Sequence, residues 1–297
     1  MHRTKDLNWN RLLRNFIKWM YSFPRFKGRY YLVKLMKLLF ILPKKPIWIK
    51  VFDKTEILIN PYVDKGVESA LFYTGTYEAG TLKFIQDNLL EGQNYIDVGA
   101  NIGLMTLFTS NIVGKSGKIV SIEPNPETMS ILVENVHQNN CQNVIFIKDA
   151  IGSEEGEAEI FPNWNINRGG ASLINRSNDK TGIKVKVRTL SQILNELLII
   201  PHMIKIDVEG FELEVLNSAA DLLMQNEKPI LILEVSKERT TSGGNFEAVY
   251  SFLTNLKGYK FYKTKGSKES KNTLIEIKEI IDFPDHDNVY CIPQSAK

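Results

Sequence analysis

The segment Asp97-Val-Gly-Ala-Asn-Ile-Gly103 combines residue types that suit the binding of a nucleotide-like ligand. It joins a short apolar run, Tyr95–Val98, to an amphipathic run, so we expect a strand-to-helix turn. Gly99 and the last glycine permit a tight turn in which a ligand can approach backbone amides at the start of the helix. Asn101 stands where a dinucleotide fingerprint has glycine, and the negative charge of the aspartate opposes a diphosphate. An ordinary strand-to-helix connection is the alternative.

Two further acids follow the next two expected strands. Glu123 comes after the run 118–122, at the position where nucleotide-binding units hydrogen-bond a ribose diol. Asp149 comes after the run 143–148, where it could meet an adenine amino group. A surface acid and a turn residue are the structural alternatives for these two positions. S-adenosylmethionine carries a sulfonium and an ammonium, so negative groups at these strand ends favour this cofactor over NAD.

The segment Lys205-Ile-Asp-Val-Glu-Gly210 ends a later strand. With a side-chain period of two, Lys205, Asp207 and Glu209 are expected on one side, at the sheet edge where such folds bind ligands. An acid there could take a proton from a hydroxyl group or hold a divalent metal, and His202 is a further candidate general base. An ion pair of the lysine with either acid is the structural alternative. No His, Cys and Asp spacing in the sequence indicates a dedicated metal site.

The segments 97–103 and 205–210, with Glu123-Pro-Asn-Pro126 and Glu212-Leu-Glu-Val-Leu216, resemble the FkbM-type methyltransferases, a branch of the class I S-adenosylmethionine-dependent enzymes. The resemblance covers roughly residues 78 to 235. It implies a seven-stranded sheet with an antiparallel last strand, and O-methylation of hydroxyls on sugars, polyketides or related metabolites, without identifying the acceptor. Carried over by motif, the methionine end of the cofactor would contact Asp97, Gly99, Asn101 and Gly103, the ribose Glu123, and the adenine Asp149.

Short apolar runs alternate with longer amphipathic runs over residues 95–148 and again over 203–263. This rhythm predicts an α/β protein with a Rossmann-like, doubly wound and mostly parallel sheet. Two extra strands, 158–161 and 183–187, flank a polar segment, 162–182. Its Trp, Asn, Arg and Ser residues suit contact with a hydroxylated acceptor such as a sugar or glycan, or form an exposed insertion.

Charge is concentrated at the start of the chain. Residues 1–50 hold 13 Lys and Arg against one acid, Asp6, a charge of +12; since the chain totals are 37 basic and 34 acidic residues, the remainder carries −9. Apolar residues recur in steps of three and four between these basic residues, so we expect a basic, amphipathic helical extension over residues 1–46, before a catalytic domain at 47–297. Residues 1–45 would pack on that domain, meet an acidic partner, or lie on an anionic membrane.

Several classes of protein are disfavoured. Cys141 and Cys291 form no disulfide framework, so we expect a reduced, cytoplasmic protein, with peripheral contact at the inner membrane face as a further option. The apolar run 30–42 is too short and too charged to cross a bilayer, and no secretory signal is expected. No nucleic-acid partner is expected, since the acidic remainder offers no basic track. A NAD-dependent oxidoreductase or epimerase and a non-catalytic membrane-associated scaffold stay open as alternatives.

Overall fold

The computed structural model describes residues 8–22, 28–52, 54–163, 167–172, 182–225, 227–237, 246–271 and 273–294. The chain divides into two compact units. One comprises residues 1–77 with 163–169, and the other comprises residues 78–162 with 170–297. The boundary that we expect at residue 46 stays a prediction.

The first unit contains helices within the extension expected over residues 1–46, followed by a hairpin and a further helix. Its elements are α1 (Asn8–Ser22), α2 (Arg29–Lys37), β1 (Ile47–Phe52), β2 (Thr55–Ile59) and α3 (Val67–Thr74). The two strands pair antiparallel. Hydrogen bonds join α1 to the segment after α2: Trp9 Nε1 donates to the Leu39 carbonyl at 3.0 Å, and the Asn10 side chain both donates to and accepts from the backbone of Ile41. Within the described ranges, no helix is long and apolar enough to cross a bilayer.

The second unit holds a large sheet. The remaining elements in chain order are α4 (Ala79–Asn88), β3 (Tyr95–Val98), α5 (Leu104–Val113), β4 (Ile119–Ile122), α6 (Pro126–Gln138), β5 (Val144–Ile147), β6 (Ala150–Ile151), β7 (Gly156–Asn163), β8 (Asn167–Ser172), β9 (Ile183–Arg188), α7 (Leu190–Leu197), β10 (Met203–Ile206), α8 (Glu212–Ser218), α9 (Ala220–Leu223), β11 (Ile230–Ser236), α10 (Phe246–Asn255), β12 (Tyr259–Thr264), β13 (Leu274–Glu276) and β14 (His286–Pro293).

The strand order of the large sheet is β13-β12-β14-β11-β10-β3-β4-β5. Strands β11, β10, β3, β4 and β5 run parallel, and β14 lies antiparallel between β11 and β12. Every residue of β3, β4 and β10 is buried, as parallel strands require when both faces of the sheet are covered. The Rossmann-like α/β fold with an antiparallel last strand is therefore confirmed.

The expected count of seven strands is wrong, because the sheet has eight. The additional strand, β13, has three residues and pairs antiparallel with β12 at the edge of the sheet. A run this short carries too little alternation to stand out in a sequence. The two extra strands expected around the polar segment correspond to β7 and β9, which do not join the large sheet. They pair antiparallel with each other, and β6 pairs parallel with β9.

Helix α7 was not expected, although its start carries a clear signal. Thr189 and Gln192 form a reciprocal capping box, in which each side chain bonds the other residue's backbone N–H. The helix expected over 211–225 is instead two short helices that meet at Ala219.

Three strands are held together where the turn after β3 begins. Gly99 N and Ala100 N both donate to the Ile122 carbonyl at 3.0 Å, which ties the turn to β4. Asp207 N donates to the Val98 carbonyl at 3.0 Å, which ties the same turn to the end of β10. Gly99 has a φ of 81°, and a Cβ atom there would lie 1.9 Å from the carbonyl oxygen of Asp207. Only glycine allows this approach.

Replacing Gly99 with alanine should therefore destabilise the fold by more than about 2 kcal/mol, since the left-handed backbone and the clash with Asp207 act together. Urea unfolding of Gly99→Ala against the wild type measures this loss. Gly156→Ala is the matched control, because a Cβ atom at that glycine meets nothing within 4 Å. Equal midpoints for Gly99→Ala and the wild type would show that the turn is not packed in this way.

Candidate functional site

The carboxyl ends of the parallel strands meet at one edge of the large sheet. This is the edge at which doubly wound sheets bind their ligands. Asp97, Glu123, Asp149 and Asp207 all stand at or just beyond the ends of their strands, β3, β4, β5 and β10. The topology therefore brings the acids expected to bind a cofactor to the same edge as the acid expected to contact an acceptor.

The turn between β3 and α5 is built on left-handed residues and on Glu123. Asn101 has a φ of 51° and Gly103 a φ of 89°. One carboxylate oxygen of Glu123 accepts from Asn101 N and the other accepts from Asn125 N, both at 3.0 Å. The acid expected to bind a ribose thus also fixes the turn expected to bind the methionine end, and each of its oxygens keeps a lone pair for a further donor.

Burial controls the ionisation of Glu123. Its side chain is enclosed, and this burial outweighs the two backbone hydrogen bonds and raises the pKa of its carboxyl to about 7. A carboxyl with such a pKa gains or loses its proton near neutral pH, where a ligand that donates hydrogen bonds would favour the ionised form.

Asp97 lies deeper than a surface turn residue would. It is buried, and Thr106 Oγ1 donates to its Oδ2 at 2.7 Å, while the same hydroxyl lies 2.8 Å from Ser121 Oγ. Burial raises the pKa of Asp97 to about 6, and the ammonium of Lys205 opposes this rise. The charge of this acid is therefore supported by a fixed hydroxyl and by a lysine on the adjacent strand β10.

Asp149 is partly exposed just beyond β5. Arg188 Nη1 lies 3.9 Å from its Oδ2, and Arg188 also contacts Glu196. This neighbouring guanidinium gives Asp149 a structural role beside the expected contact with an adenine, which stays a prediction.

A cluster of charged side chains surrounds Asp207. Lys205 Nζ lies 2.8 Å from Asp207 Oδ2, so the ion pair considered as an alternative is present. One carboxylate oxygen each from Glu78, Asp207 and Glu234 lies within 4.8 Å of the others. The ammonium of Lys268 contacts two of these acids, at 2.7 Å from Glu78 Oε1 and in a close contact with Glu234. We call these five residues the acid–lysine cluster.

The carboxyl groups of the cluster differ strongly in pKa. Burial alone would raise the pKa of Asp207, but Lys205 and Lys268 outweigh it and hold that pKa well below its usual range. Burial and the nearby Asp207 carboxylate raise the pKa of Glu234 to about 8. Because two carboxyls this close cannot both ionise easily, one proton stays on the pair, and Asp207 is the ionised partner.

Exposure separates Asp207 from the rest of the cluster. Its side chain keeps 22% of its surface exposed, whereas Lys205 and Glu234 keep 5% each and Glu78 keeps none. An acceptor molecule can therefore reach Asp207 and not the acids behind it. The three carboxylates also have the composition of a divalent cation site, but the Lys268 ammonium already supplies the positive charge between two of them.

The structure bears differently on the two other candidate catalytic residues. Strand β10 ends at Ile206 and Glu209 has a left-handed φ of 56°, so strand alternation no longer indicates its side, and its expected role stays a prediction. His202 precedes β10 at the opposite edge of the sheet, where its Nδ1 accepts from Asn94 N at 3.0 Å. Since a general base must reach the reacting proton, His202 cannot share a site with Asp207.

Sequence reasoning missed three members of the cluster, namely Glu78, Glu234 and Lys268. Glu234 carried a readable signal, because it is an acid inside the apolar run Ile-Leu-Ile-Leu-Glu-Val of β11. Glu78 and Lys268 lie outside strands and carried no such signal. Of the polar segment 162–182, residues 164–166 and 173–181 lie outside the described residues, so its expected contact with an acceptor stays a prediction.

Fold and site together define a Rossmann-like α/β protein with a nucleotide-type turn and an acidic ligand edge. The family model of the methyltransferase FkbM domain matches residues 97–261 of the chain. The chain belongs to this family, as the sequence motifs predicted.

Individual proteins are similar over different parts of the chain. Methyltransferase 1 of Beauveria bassiana is 26% identical over 238 residues, which cover 71% of this chain and 88% of that protein. Protein-L-isoaspartate O-methyltransferase of Caenorhabditis elegans is 30% identical over 99 residues, which cover 32% of this chain and only 43% of that protein. The crystal structure of methyltransferase FkbM from Methylobacillus flagellatus KT aligns with a TM-score of 0.44 and 14% identity, over 67% of this chain and 43% of that one.

The raised pKa of Glu123 predicts a pH-dependent contribution to stability. A proton on this carboxyl stabilises the folded state, and that contribution is full below the ordinary pKa of 4.5 and is lost as the pH rises through about 7. The free energy of unfolding of the wild type, minus that of Glu123→Gln, should therefore fall by about 1 to 3 kcal/mol across this range. Urea unfolding at a series of pH values measures it. A difference that does not change with pH would contradict the assignment.

Proposed function

We propose that this protein is an S-adenosylmethionine-dependent O-methyltransferase that methylates a hydroxyl group of a sugar, glycan or other small metabolite. The observation that carries the proposal is the arrangement of Glu123, whose carboxylate fixes the turn at Asn101 and stands at the strand end beside it. Membership of the FkbM methyltransferase family supports the same activity.

The residues at this edge fit the cofactor. S-adenosylmethionine supplies an activated methyl group on a positively charged sulfur. Its binding residues would be Asp97, Gly99, Asn101, Gly103, Glu123 and Asp149. Asn125 gives a further reason: its Oδ1 accepts from Glu127 N, which fixes the amide, and its buried Nδ2 has no hydrogen-bond partner among the described residues. A ribose oxygen beside Glu123 would satisfy this donor, whose isolation otherwise costs about 1 to 3 kcal/mol.

Charge favours this cofactor over NAD. The carboxyl groups of Asp97, Glu123 and Asp207 lie at this edge of the sheet. Their negative charge when ionised would repel a diphosphate. The left-handed turn residue Asn101 also replaces the glycine that lets a backbone approach a pyrophosphate.

Asp207 is the residue of this chain that we assign to the acceptor. Lys205 holds its carboxylate by an ion pair, and its low pKa keeps it ionised, so it can accept a hydrogen bond from the acceptor hydroxyl. S-adenosylmethionine would supply the methyl group and leave as S-adenosylhomocysteine. The hydroxyl proton would become strongly acidic as the acceptor oxygen takes up the methyl group, so even a weak base at hydrogen-bond distance can take that proton. Most of the rate would come from the alignment of the two reactants, a term worth ~7 to 11 kcal/mol.

Calorimetric titration tests the cofactor. The wild type should bind S-adenosylmethionine and show no heat with NAD. Asp97→Asn and Glu123→Gln should each weaken binding by about tenfold or more, since each removes a charged partner of the ligand. Asp87→Asn is the matched control, because Asp87 is an exposed acid on α4 that pairs with Lys83. Binding of NAD alone would overturn the proposal.

The methyl acceptor must be identified before the role of Asp207 in catalysis can be tested. Incubation with methyl-labelled S-adenosylmethionine and extracted cell metabolites, followed by mass spectrometry, identifies the labelled product and the atom that carries the methyl group. Label on nitrogen or carbon, rather than on oxygen, would refute O-methylation while leaving the cofactor assignment intact.

With that acceptor, Asp207→Asn should lower turnover by ~10² to 10⁴, because the amide cannot take the hydroxyl proton. Its affinity for S-adenosylmethionine should change by less than about threefold, since Asp207 is assigned to the acceptor. Asp87→Asn again serves as the control. Full turnover in Asp207→Asn would remove the residue from the mechanism.

A further inference from the structure

The first unit exposes a series of large apolar side chains near its start. They lie on α1, on α2 and on the segment after α2. We call them the apolar face: Trp9, Leu12, Phe16, Trp19, Tyr31, Leu32, Leu35, Leu38, Leu39, Ile41 and Leu42. Large exposed apolar patches mark interaction surfaces, whereas single exposed apolar side chains are normal.

Helix α1 has two apolar stripes, of which one is buried and the other is exposed. Leu13, Ile17 and Met20 recur in steps of four and three and are buried. Trp9, Leu12, Phe16 and Trp19 recur in steps of three and four and form a second stripe that is exposed, with Trp19 at 55%. At 3.6 residues per turn the two stripes are adjacent, so internal packing uses only half of the helix's apolar arc.

Helix α2 repeats this division. Val33, Met36 and then Phe40 are buried, and Phe40 packs edge-on against the rings of Phe72 and Tyr73. The opposite stripe holds Leu35 and Leu38, and Leu38 is 78% exposed. Packing inside the unit therefore buries one face of each helix and leaves the other face exposed.

Basic side chains border the exposed stripes. On α2, helical periodicity sets Lys34 and Lys37 between the buried stripe and the exposed one. Arg11 is exposed on α1, and Lys44 and Lys45 are exposed directly after the apolar face. The single acid in residues 1–50, Asp6, cannot balance the 13 basic residues there. The complementary surface must therefore be both apolar and negatively charged.

We propose that this apolar face binds the surface of an anionic lipid bilayer. Tryptophan, tyrosine and leucine side chains would enter the headgroup region, while the bordering lysines remain at the level of the phosphates. The attraction of basic residues to anionic lipid would add to the burial of apolar area. The exposed Trp9 and Trp19 favour a membrane interface, since indole rings are enriched at that depth.

Vesicle sedimentation of the full-length protein tests the proposal. Binding to vesicles of phosphatidylcholine with phosphatidylglycerol should be at least about tenfold tighter than to phosphatidylcholine alone, and should weaken with added salt. Leu35→Glu with Leu38→Glu should weaken it by about tenfold or more, because charged groups replace inserted apolar ones. Ile281→Glu is the matched control, because Ile281 is an equally exposed apolar residue, at 84%, in the second unit.

A second double variant controls for the possibility that the first loses binding because it misfolds. Lys44→Glu with Lys45→Glu leaves the apolar face intact and should lower binding to anionic vesicles without changing thermal unfolding. The proposal is overturned if the wild type does not sediment with anionic vesicles, or if both double variants bind as the wild type does. It is also overturned if the wild type forms a dimer that Leu35→Glu with Leu38→Glu dissociates and no vesicle binding is seen, since the face would then be covered by a second copy. Cofactor binding plays no part in any of these outcomes.

Discussion

The ligand edge of the second unit depends on the neutralisation of one buried ammonium group. Lys205 is 4% exposed in the middle of the sheet, and burial alone would strip its charge. The carboxylates of Asp207, Glu78 and Asp97 outweigh burial and raise its pKa instead. An unpaired buried charge costs several kcal/mol. The fold therefore requires these acids as partners of Lys205, whether or not they also bind a ligand.

That requirement joins parts of the chain that lie far apart in sequence. Glu78 precedes α4, yet its Oε2 accepts from Asn288 Nδ2 on β14 at 3.1 Å, and its Oε1 lies against Lys268. It is fully buried and has a left-handed φ of 50° without being glycine. Such a conformation persists only when surrounding contacts over-determine it, and here they are charged contacts. The cluster thereby fixes the entry to α4 and the exposed carboxylate of Asp207 together.

The sequence predicted what is encoded locally. The turn at 97–103 and Glu123 at its strand end follow from short motifs and from periodicity, and each depends on residues close in the chain. The antiparallel last strand is expected from the family resemblance alone. The acid–lysine cluster has no such local basis, because Lys268 and Glu78 meet only through the folded sheet. The side on which Glu209 lies is likewise not encoded by the strand pattern: period two holds only while the backbone stays extended, and two left-handed φ values follow β10, at Glu209 and Gly210.

The role of a charged residue in the two units depends on whether its side chain is buried. In the second unit, opposite charges are enclosed together and neutralise each other, and Asp207 is the most exposed member of the cluster, at 22% against 12% for Lys268. In the first unit, Arg14 is enclosed and donates to the Phe72 carbonyl at 2.7 Å, whereas the lysines around the apolar face stay in water. Charge enclosed with partners serves the fold and the chemistry. Charge that stays exposed beside exposed leucine and tryptophan gains little from the fold, and the proposed binding to an anionic bilayer would give it a role.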